Sequence, residues 1–106
     1  EAALDYVGGG LFCSAVDKVA RDIIDHAGYE GCFGHSLGHG VGIDVHEAPR
    51  LSSKAGDAVL APGHVVTVEP GIYLNGRIGV RIEDLVLVTE DGCEVITNSE
   101  KKLITL

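Results

Sequence analysis

Glycines at Gly31, Gly34, Gly38, Gly40 and Gly42 break up the stretch from Tyr29 to Pro49 and scatter three histidines, His35, His39 and His46, among bare backbone. Glycine costs about 1 kcal/mol against alanine inside a helix, so at this density helix is excluded. The missing side chains permit positive φ and let other groups approach the backbone closely, as a ligand site often requires. The rest of the fold has to be built around this stretch.

Ahead of it, Val16, Val19, Ala20, Ile23, Ile24 and Ala27 recur at helical spacing and predict an amphipathic helix from Ser14 to Ala27. Ser14 followed by Asp17 resembles a capping box, and Gly28 supplies the stop. Asp17, Asp22 and Asp25 fall on the polar side of that helix, where solvation explains them. Gly8-Gly9-Gly10 reads as a flexible turn behind a possible helical tail, Glu1 to Val7. Downstream, His64 to Leu74 is rich in Val, Ile, Thr and Tyr, and Arg77 to Thr89 alternates polar with apolar before Glu90-Asp91-Gly92 turns into Glu94-Val95-Ile96. These are antiparallel strands, and a helix followed by strands with short turns is the pattern of an α+β domain.

Composition narrows the partners. Sixteen acidic against eight basic residues leave a formal charge of -8, which repels nucleic acid and anionic membranes. Carboxylates that ligate a cation would account for part of that excess. Cys13, Cys32 and Cys93 are odd in number and form no C-x-x-C pair, so free thiols in a reducing cytoplasm are expected rather than a disulfide framework. No apolar run reaches the roughly 18 residues of a membrane span. The chain has no methionine, even at position 1, which points to a fragment of a longer protein.

A lone histidine is usually structural, but three in one glycine-rich stretch are harder to explain that way. A zincin arrangement fails, since Ser36 rather than Glu follows His35 and no helix carries the pair. Glu69 and Glu83 lie inside apolar β patterns, where a charge needs a cation or strong donors unless its strand position faces solvent.

The runs Phe33-Gly34-His35-Ser36-Leu37-Gly38-His39-Gly40-Val41-Gly42 and Val45-His46-Glu47-Ala48-Pro49 are similar to the signature loop of pita-bread metallopeptidases. Thr67-Val68-Glu69-Pro70-Gly71-Ile72-Tyr73 and Gly79-Val80-Arg81-Ile82-Glu83-Asp84 resemble the second and third metal-site motifs, in the same order. Arg-Ile-Glu-Asp resembles the prolidase and aminopeptidase P type rather than methionine aminopeptidases, and His35 favours the same choice. The resemblance implies that residues 1–106 form the C-terminal half of a pita-bread domain, one main helix packed on a curved antiparallel sheet. It implies His39, Glu69 and Glu83 as metal ligands, Glu83 bridging two ions. His35 and His46 match residues that contact substrate and stabilise the reacting carbonyl, Glu69 would also relay a proton, and Arg81 lies beside the bridging Glu.

The implied activity is hydrolysis of X-Pro peptides by water activated on two divalent metals. A carboxylate-rich set with one imidazole suits manganese or cobalt, with iron or zinc as alternatives. Members of the family take two further aspartate ligands from an upstream hairpin, which this chain does not match. The isolated chain is therefore expected to be inactive, not to retain both metals, and to need the missing N-terminal half or to self-associate in its place. A metal-free creatinase-like hydrolase, a methionine aminopeptidase and a non-catalytic peptide-binding pita-bread domain are the alternatives. Retention of His39, Glu69 and Glu83 argues against a metal-free or non-catalytic role.

Overall fold

The computed structural model describes residues 1–106, and it confirms the α+β class while redrawing several elements. Two helices come first, α1 (Ala2–Tyr6) and α2 (Cys13–Ile24), and α2 runs into a π-turn at Asp25–Tyr29. Gly28, at φ 95°, ends the helical path as its sequence position suggests. Seven strands follow: β1 (Gly38–Gly40), β2 (Glu47–Leu51), β3 (Val65–Val68), β4 (Gly71–Leu74), β5 (Ile78–Arg81), β6 (Asp84–Val88) and β7 (Cys93–Val95). Five form an antiparallel sheet in the order β2-β1-β3-β6-β7, while β4 and β5 make a separate hairpin.

The sheet and α2 share one core because their apolar periods match. Val16, Ala20 and Ile24 from α2 meet Val66 and Val68 from β3 and Val86 and Val88 from β6, together with Leu37, Leu51 and Leu60. Val66 stands opposite Val86, so a one-residue slip would turn the buried set outward. The hairpin is two-faced. Tyr73 and Arg81 share one face, while Ile72 pairs with Val80 and Leu74 with Ile78 on the other. On that second face Ile78 is 69% and Val80 58% exposed.

Three expectations are corrected. Ser14 caps nothing: Phe12 is the N-cap residue, and the first amide of α2, at Cys13, donates to Ala58 O at 2.9 Å. Asp17 is not solvated but wholly buried. The glycine turn is anchored, with Gly9 donating to Thr89 O and Gly10 to Leu60 O, and a side chain at Gly9 would press on Pro62. All three cysteines are free, Cys13 fully buried. Burial pushes the Cys13 thiol above its usual range, against a smaller backbone hydrogen bond.

Candidate functional site

The glycine-rich stretch proves to be two short strands packed too closely for side chains. A Cβ on Gly38 would collide with the carbonyl of Thr67, and one on Gly40 with that of Ala48, both well inside the 3.0 Å that real Cβ atoms keep. Only glycine lets β1 lie between β2 and β3, so His39 is the single side chain this strand presents. Its amide donates to Thr67 Oγ1 at 3.1 Å. Its Nδ1–H donates to Gly40 O at 2.9 Å, which leaves the Nε2 lone pair free and fixes the ring. That Nε2 lies 3.5 Å from Glu69 Oε2.

Glu69 follows β3, and its amide donates to Leu37 O at 2.7 Å, tying it to the entrance of β1. Glu83 lies between β5 and β6, with Arg81 Nε 3.7 Å from its Oε2. Burial and then the neighbouring Glu69 carboxylate push Glu83 above the usual carboxylate range, while Arg81 and His39 pull it down. Its side chain is 44% exposed, so water screens part of that repulsion. Asp84, next in sequence, is buried; it accepts from the Thr97 hydroxyl and pairs with Lys101 at 2.9 Å. Burial alone would raise it, yet the Thr97 and Lys101 partners hold it below the usual range.

His39, His46, Glu69, Arg81 and Glu83 line one cavity of about 600 Å³, joined by Thr67, Thr97 and the apolar Val41, Val45 and Leu85. The His46 ring stands edge-on to His39 with centroids 4.4 Å apart. His35 lies outside that lining. It packs between Phe33 and Tyr73, donates from Nδ1 to Ser36 O at 2.8 Å and accepts the Tyr73 hydroxyl at Nε2, 2.7 Å away.

Sequence reasoning assigned no role to Tyr73, Thr67 or Thr97. Tyr73 had a readable signal: it pairs with Gly79 across the hairpin and lies two residues beyond Gly71 on the same face, and its ring occupies the space of both missing side chains. The threonine contacts depend on strand pairing and had none.

No three His, Cys, Asp or Glu side chains converge closely enough to enclose an ion unaided. The chemistry of the donor set nonetheless fits a cation. A free imidazole lone pair faces one carboxylate, and a second carboxylate beside it is pushed up by burial and then by the first, an excess of negative charge that a cation would offset.

The profile of metallopeptidase family M24 matches residues 1–90. The Xaa-Pro dipeptidase of Pyrococcus furiosus is 46% identical over 102 residues, which cover 96% of this chain and 29% of that protein. Among solved structures, an Xaa-Pro dipeptidase from Bacillus anthracis superposes with a TM-score of 0.96 at 50% identity, over 99% of this chain and 29% of that one. An X-Pro aminopeptidase from Thermotoga maritima gives 0.91 at 46%, over 95% and 28%. The chain thus spans less than a third of the length of the relatives it matches.

Proposed function

Since the chain belongs to metallopeptidase family M24, we propose that it is the C-terminal half of a pita-bread catalytic domain whose full-length protein hydrolyses X-Pro peptides. The observation that carries this is the single cavity shared by His39, Glu69 and Glu83, with His46 and Arg81 on its wall. His39 and Glu69 would hold one divalent ion and Glu83 would bridge to a second. Two such ions, manganese or cobalt by the hardness of the donors and iron or zinc otherwise, supply Lewis acidity and a water activated for attack on a peptide carbonyl.

The chain's own groups do the rest. The His46 ring, held against His39, is aimed into the cavity and donates a hydrogen bond to the carbonyl oxygen as charge develops there. Glu69 takes the proton and returns it to the leaving amine. Arg81 offsets the Glu69–Glu83 repulsion, and His35, set by Tyr73, contacts the substrate from the hairpin side. Other carboxylates do not line the cavity: Asp17 and Asp84 are buried with partners of their own. This supports further ligands coming from the missing N-terminal half, and supports the isolated chain being inactive. Three unpaired thiols suit a reducing cytoplasm, and no helix is long and apolar enough to cross a membrane.

The test is hydrolysis of an X-Pro dipeptide and an X-Pro tripeptide by the full-length protein, stripped with chelator and reloaded with manganese. Activity that vanishes and returns, and that is lost in His39→Ala, is expected. Full activity after stripping refutes the metal reading; no cleavage of either peptide refutes the substrate.

A further inference from the structure

The helix predicted to show a solvated acidic face instead buries one of its acids, Asp17, against a half-buried Arg21. Asp17 is 0% exposed, and its carboxylate accepts from Arg21 Nε at 2.9 Å and Nη2 at 3.1 Å, and from the Leu37 amide at 2.9 Å, an amide shared with Leu51 O, also 2.9 Å away. The same Arg21 guanidinium donates onward, from Nη1 to Phe33 O at 2.7 Å and from Nη2 to His35 O at 2.9 Å, while its Cζ lies over the Phe33 ring, 4.3 Å from the centroid. One planar fork thus grips two carbonyls two residues apart, and its counter-ion grips the amide two residues further on. Burying the Asp17 charge against a half-buried Arg21 is expensive, and an apolar pair would often stabilise a helix–sheet contact as well or better. What an apolar pair cannot do is fix three polar backbone groups at defined positions.

We infer that Asp17 and Arg21 are a positioning pair, which fastens the backbone of residues 33–37 to α2 and so sets the orientation of His35. The inference rests on the X-Pro peptidase reading for what His35 does. The physical fastening stands apart from it. A lysine keeps the charge opposite Asp17 but lacks the rigid fork, so it cannot hold Phe33 O and His35 O together.

The experiment is a double-mutant cycle in the full-length protein with Arg21→Lys and His35→Ala. Loss of orientation by about 1 Å costs up to roughly 100-fold, so kcat/KM is expected to fall at least tenfold in Arg21→Lys alone. In the His35→Ala background the same substitution should change it less than twofold. An equal fall in both backgrounds means Arg21 serves stability generally and overturns the inference. Arg21→Ala provides a second variant, with millimolar guanidinium expected to restore activity and ammonium not; restoration by neither counts against the fork. Carbonyl 13C shifts in the full-length protein provide the readout that needs no substrate. Those of Phe33 and His35, the two backbone acceptors of the fork, should move in Arg21→Lys, with those of Val66 and Val86 unchanged. Unmoved Phe33 and His35 carbonyls overturn the fastening whatever the enzyme cleaves. Absent X-Pro cleavage with moved Phe33 and His35 carbonyls would refute the substrate and sustain the fastening.

Discussion

Substituting Gly38 with alanine should damage the candidate site through the backbone alone. The new Cβ would sit against Thr67 O, far inside the 3.0 Å limit, so β1 and β3 must part by more than about 1 Å. Besides the Gly40–Val66 pairing, three hydrogen bonds cross that seam: His39 N to Thr67 Oγ1 at 3.1 Å, Val41 N to Val65 O at 3.0 Å and Glu69 N to Leu37 O at 2.7 Å. At about 1 kcal/mol each, their loss destabilises by about 3 kcal/mol, a large share of the roughly 5–15 kcal/mol of a domain this size. In urea the midpoint should drop by roughly 1.5 M at an ordinary slope. Gly34→Ala is the control, since open space surrounds that position, and it should stay within about 0.5 kcal/mol of the parent. The assay is urea unfolding of both variants at the protein's natural length, with manganese affinity alongside. Equal midpoints for the two variants, or Gly38→Ala binding manganese as the parent does, would refute the packing argument.

Further outcomes follow from the same geometry. Thr97→Val deprives buried Asp84 of a donor while leaving Lys101, and should cost about 1–3 kcal/mol in thermal or chemical unfolding; a neutral result would mean Lys101 alone satisfies the carboxylate. Because burial raises the folded-state Cys13 thiol above its ordinary value of 9.0, the stability it contributes is complete below pH 9.0 and is lost as pH rises beyond it. Unfolding midpoints between pH 8 and 11 should therefore fall less steeply in Cys13→Ala, and parallel curves would contradict this. The exposed Ile78 and Val80 face should make the isolated chain self-associate, and Val80→Lys should reverse that in light scattering. A parent chain that stays monomeric at high concentration would count against it.

Much of the site was legible because its chemistry is local in sequence. His39, Glu69, Glu83, His46 and Arg81 each sit in a short run whose residue types carry the signal, and the fold brings those five to one cavity. The strands β3 to β7 were legible too, since apolar alternation and turn residues mark them. Strands β1 and β2 were not, because glycine and proline carry no period, and what accounts for β1 is the close approach of Thr67 and Ala48. Asp17 misled because an acidic residue four before an arginine on a helix is ordinarily a surface pair. Its further partner beside Arg21, the Leu37 amide, lies 20 residues away and becomes its neighbour only when the chain folds. His35 was grouped with the other histidines by spacing, yet it packs against Phe33 and bonds to Tyr73, outside the cavity lining.

Metal content by mass spectrometry, on the isolated 106-residue chain and on the full-length protein after equilibration with manganese, bears most directly on the proposal that His39, Glu69 and Glu83 are part of a shared two-ion centre. The full-length protein should carry close to two ions per chain, falling in Glu83→Gln, and the isolated chain well below two. Two ions held by the isolated chain, or none by the full-length protein, would contradict it.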